Sequence, residues 1–66
     1  MRVQEAFRTQ FKRTLRLKLR QGFSVERSFG RVWEQTQEAV NLDEAEQSLL
    51  FGELIAWAKE LLPARL

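Results

Sequence analysis

Apolar residues return every three or four positions along almost the whole chain, and very little interrupts them. Val3, Phe7, Phe11, Leu15 and Leu19 recur at every fourth residue, the spacing that keeps side chains on one slowly drifting side of an α-helix. Val25, Phe29, Val32, Trp33, Thr36 and Val40 follow at helical intervals, with Glu26, Arg27, Arg31, Glu34 and Glu38 elsewhere on the wheel. Leu50, Leu54, Trp57 and Leu61 form a seam of alternating four and three steps, and Phe51, Ile55, Ala58 and Leu62 form a second beside it. The only proline is Pro63, and the glycines are Gly22, Gly30 and Gly52. The pattern predicts an all-α fold of three helices, over about residues 2–20, 25–40 and 44–62.

The junctions carry their own signals. Gly22 is free to adopt the left-handed conformation that ends a helix, and Ser24 is placed to cap the next. Asp43 with Glu46 three residues on makes a capping box for the third helix, and Pro63 ends that helix after Leu62. One segment carries a competing signal: Thr14 to Arg20 alternates polar and apolar residues strictly, as a half-buried strand does. The four-residue stripe extends on both sides of that run and favours helix.

At 66 residues the chain is a single domain, 1–66, near the size at which one core is marginal. Two adjoining seams give the third helix an apolar face wider than one neighbour covers, so it is expected to be central in a bundle or to meet a second copy. A homodimer is expected, with Leu50, Leu54, Trp57 and Leu61 as the dimer or partner interface. Trp33 and Trp57 fall within the stripes as core or interface anchors, while Phe23 sits in a turn, either closing the core or left for a partner.

Absent residue types narrow the chemistry. There is no cysteine and no histidine, so disulfides and the common zinc and haem ligand sets are excluded, and no metal or cofactor is expected. A serine or threonine nucleophile would lack its usual base, no glycine-rich phosphate loop is present, and the acids at Asp43, Glu44 and Glu46 suit a helix start. An enzyme is not expected. No apolar run approaches the roughly 20 residues of a membrane span, and no signal-peptide pattern opens the chain, so the expected location is cytoplasmic.

Charge is the feature that points to a partner. Residues 1–31 hold nine Lys/Arg against two acids, and residues 32–66 hold two against seven. Within the front half Arg8, Lys12, Arg16 and Arg20 stand four apart, with Arg13 beside them, on the side of the helix away from the apolar stripe. Like charges at that spacing oppose a helix by about 0.2 to 0.5 kcal/mol per pair, so the ladder calls for a counter-charge. A nucleic-acid backbone is one, which makes Arg8, Lys12, Arg13, Arg16 and Arg20 candidate nucleic-acid contacts supported by Arg27 and Arg31. The acids Glu46, Glu53 and Glu60, seven apart on the third helix, are another, by pairing within the fold. The alternative to a nucleic-acid-binding regulatory protein is therefore an adaptor or inhibitor that docks a protein through the third helix. An amphipathic first helix lying on anionic lipid is a third possibility.

Two short resemblances accompany these residues. Leu42-Asp43-Glu44-Ala45-Glu46-Gln47 resembles the turn of the Rop family of plasmid copy-number proteins, dimeric helical hairpins that bind paired RNA loops. With Thr14 to Arg20 extended, the order strand, helix, helix resembles the ribbon-helix-helix regulators, which implies paired strands in the DNA major groove with Arg16, Lys18 and Arg20 toward the bases. The basic first segment departs from the Rop hairpin, and residues 1–13 and the long second helix depart from the ribbon-helix-helix pattern.

Overall fold

The computed structural model describes residues 2–61 as three α-helices: α1 (Val3–Arg20), α2 (Val25–Ala39) and α3 (Glu44–Glu60). Leu62 and Pro63, the expected end of the third helix, lie outside the described residues. Thr14 to Arg20 is helical, so the extended alternative and the strand order that went with it are set aside. The alternation there is incidental to a helix. Successive residues turn by about 100°, so Leu15 points into the core, Leu17 is half exposed at 51%, and Leu19 lies at the edge.

Each turn closes as its residues dictate. Gly22 has φ of 96°, and around it the Phe23 amide donates to the Lys18 carbonyl and the Gly22 amide to the Leu19 carbonyl, both at 3.1 Å. That is the Schellman arrangement, which satisfies two carbonyls the end of α1 would otherwise leave open. Ser24 Oγ accepts from the Arg27 amide at 3.2 Å and starts α2. Asp43 Oδ1 accepts from the Glu46 amide at 2.8 Å while Glu46 Oε1 accepts from the Asp43 amide at 3.2 Å, the reciprocal box at the head of α3.

The helices run up, down and up. Phe7 meets Trp33 at 4.8 Å between ring centroids and Phe11 meets Phe29 at 4.9 Å, so α2 is antiparallel to α1. Gln4 reaches Glu46, Arg8 reaches Glu53, and Phe11, Lys12 and Arg16 surround Trp57, so α3 runs parallel to α1. Phe7, Phe11, Leu15, Val32, Leu50 and Leu54 are fully buried, with Leu42 and Ala58 beside them. Thr36 is also inside, and its hydroxyl donates to the Val32 carbonyl at 2.7 Å, which removes the cost of burying it. Val3 is 44% exposed at one end of the four-residue stripe, and Leu19 is peripheral at the other. A four-residue step overshoots a helical turn by about 40°, so the two ends of the stripe rotate off the core.

The seam expected to hold a partner is part of this core. Leu50 and Leu54 have no exposed surface, and Trp57 and Leu61 pack half-buried against them. Of the interface expected at Leu50, Leu54, Trp57 and Leu61, the first two are inside the single chain and the last two keep part of their surface, so a partner reaches Leu50 or Leu54 only by opening the bundle.

Candidate anion-binding surface

The cationic residues of α1 separate into two groups by what lies beside them. Arg8 is satisfied within the chain, donating through Nε and Nη2 to both carboxylate oxygens of Glu53, the latter at 3.0 Å. This bidentate pairing raises the Arg8 pKa, chiefly through the hydrogen bond to Glu53, and holds the Glu53 carboxyl below the ordinary value of 4.5 for the same reason. Lys12 Nζ lies 5.3 Å and Arg16 Cζ 5.6 Å from the centre of the Trp57 ring, within cation–π distance. The lower rungs of the ladder thus find their counter-charge and a π-face on α3.

Farther along, no acid answers the cations. Arg13, Arg20, Arg27 and Arg31 are exposed, and among the described residues none of them, nor Lys18, takes part in an ion pair. Lys18, Arg27 and Arg31 converge with Phe23 and Ser28 on an open cavity of about 360 Å³ between the end of α1 and the start of α2. Phe23 is 51% exposed at its mouth, and Lys18 Nζ lies 5.4 Å from its ring centre. The amide-rich start of α2, capped by Ser24, adds a partial positive charge there.

The up-down-up topology turns a division along the sequence into one along the molecule, whose longest extent is 38 Å. At the α1–α2 turn end, residues 13–31 and 57–61 carry seven Lys/Arg against two acids, Glu26 and Glu60. At the opposite end, residues 2–12 and 32–56 carry three against seven. One end of the bundle is a dense cationic field and the other is acidic.

Of the expected contacts, the structure gathers Arg13, Arg16, Arg20, Arg27 and Arg31 at the cationic end and assigns Arg8 to an internal ion pair. Lys12 sits between the two groups. Lys18 lies outside the four-residue ladder and is expected at a partner only with Thr14 to Arg20 extended, and the sequence leaves Phe23 undecided. The signal for both was Gly22: a left-handed glycine in a Schellman turn folds the residue after it back over the last turn of the helix, here Phe23 against Lys18. Among the described residues no group of three or more acidic, His or Cys side chains is arranged to hold a metal ion, and no helix is long and apolar enough to cross a membrane. No protein-family model, curated protein or solved structure matches the chain.

Proposed function

We propose that the chain is a small non-catalytic regulatory protein of the cytoplasm that binds nucleic acid through the phosphate backbone. Its contacts are Arg13, Arg16, Lys18, Arg20, Arg27 and Arg31, with Phe23 offering an aromatic face to a base. The observation that carries this is the collection of unpaired cations at the α1–α2 turn end, where five arginines and one lysine stand without an acidic partner among the described residues. Arginine suits the role because its planar fork meets two phosphate oxygens at once.

Backbone binding has a definite signature. Each phosphate contact releases condensed counterions, so the logarithm of affinity falls with the logarithm of salt by about 0.9 per contact on duplex DNA and about 0.7 on a single strand. Fluorescence anisotropy with labelled oligonucleotides of mixed sequence, over a series of salt concentrations, reads this slope directly. Arg27→Ala and Arg31→Ala should each weaken binding to all sequences alike and flatten the slope by about one contact. Arg8→Ala should leave the slope unchanged. Binding that is insensitive to salt, or equally reduced by all three variants, would refute the assignment.

A further inference from the structure

Helix α3 carries large apolar side chains outside the core as well as within it. Leu50, Leu54 and Ala58 fill the core, yet Leu49 and Phe51 are 57% and 43% exposed, and Ala56 on the outer side is exposed with them. Adjoining large apolar side chains left in water mark a surface that another molecule covers, and within the single chain Phe51 is covered only in part, by Phe29 and Trp33 of α2. We infer that the outer face of α3, from Phe51 and Ile55 across to Leu49 and Ala56, is where a second copy of this chain packs, antiparallel, about a two-fold axis near Gly52.

Charge selects a second copy as the occupant. One end of the molecule is cationic and the other acidic, so two copies side by side in opposite directions bring each cationic end against the other's acidic end, while parallel copies would set like against like. The residues of α3 repeat the match locally. Gly52 stands at the midpoint of Glu44–Glu60, and a two-fold axis there brings residue 59 of one helix opposite residue 45 of the other. Lys59 then faces Glu44 of the partner copy, twice by symmetry. At about 100° per residue Lys59 lies only about 60° around the helix from Glu44, on the same edge of the face, whereas Glu60 lies about 160° from Glu44 and does not meet it. Lys59 and Glu44 are exposed and form no ion pair within the described residues. At the axis, nothing lies within 4 Å of where a Cβ on Gly52 would stand, so two backbones can approach there.

This pairing is separate from the α1–α2 cavity. It leaves both cationic ends uncovered on their outer sides, at opposite ends of the pair, so one dimer presents two polyanion-binding ends and gains the avidity of linked sites.

Sedimentation equilibrium of the full chain from about 1 μM to about 1 mM, beside circular dichroism for folding, tests the inference. A monomer–dimer equilibrium is expected. Gly52→Arg projects into open space in the single chain and removes a glycine from inside α3, so it should keep or raise the helical signal and thermal midpoint of the monomer while weakening association at least tenfold, and Leu49→Glu should weaken association similarly. Lys59→Glu and Glu44→Lys should each weaken the dimer, and the two together should restore it. Because the chain has no cysteine, Gly52→Cys should oxidise to a covalent dimer far faster than the exposed control Gln35→Cys. A chain that stays monomeric throughout, a dimer that survives Gly52→Arg, or a charge reversal that restores nothing would overturn the inference, and a monomer would leave this face to a different protein.

Discussion

Phe11 is the side chain on which all three helices meet, and removing it should come close to unfolding the protein. It has no exposed surface and lies edge-on to Phe29, Trp33 and Trp57 at 4.9, 6.1 and 6.5 Å while stacking on Phe7 at 6.3 Å. Truncating a buried phenylalanine to alanine costs about 3 to 5 kcal/mol in transfer and cavity terms. Each well-oriented aromatic pair adds about 0.5 to 1.5 kcal/mol, so the upper part of the range applies at a site with four such neighbours. A core of this size supplies roughly 3 to 5 kcal/mol in total. Phe11→Ala should therefore abolish the cooperative urea transition followed at 222 nm, while Phe11→Leu, which keeps most of the volume, should lower the midpoint and keep the transition. A Phe11→Ala protein that unfolds cooperatively within about 1 kcal/mol of the parent would refute a core organised around this ring.

The other expectations concern groups at the surface. Since the Glu53 carboxyl is held below 4.5 by Arg8, its contribution is complete above that value and disappears as pH falls through the lowered folded-state pKa; the exposed pair is worth at most about 1 kcal/mol. Urea midpoints between pH 7 and pH 3 should show this acid-side loss in the parent and less of it in Glu53→Gln. Leu17→Lys should change stability by less than about 0.5 kcal/mol, because Leu17 is already half in water; a larger loss on thermal melting would mean that the residue faces a core. Gly30→Ala should stabilise by up to about 1 kcal/mol, since a Cβ there meets nothing within 4 Å and the position is inside α2, and a lower melting temperature would contradict that placement.

The elements were legible in the sequence because their signals are local. Apolar periodicity marks a face, and Ser24, Asp43 with Glu46, and Gly22 mark ends through groups a few residues apart. Neighbour identity is not local, and it is there that expectation and structure part. The seam Leu50-Leu54-Trp57-Leu61 has the spacing of a surface awaiting another helix, and periodicity cannot say whether that helix belongs to the same chain. Arg8 and Arg20 look alike on the ladder, yet only Arg8 is opposite a glutamate, because α3 runs parallel to α1 and brings Glu53 to that level. Lys18 and Phe23 come together through one backbone angle at Gly22, a convergence with no periodic signature.

The segregation of free cations at one end of the bundle is best tested by following backbone amide chemical shifts as a short oligonucleotide of mixed sequence is added at low salt. Shifts confined to residues 13–31, largest around Lys18, Phe23, Arg27 and Arg31, and reversed on addition of salt, are expected. Shifts centred on Arg8 and Glu53, or an absence of any shift, would contradict the assignment of that end as the nucleic-acid surface.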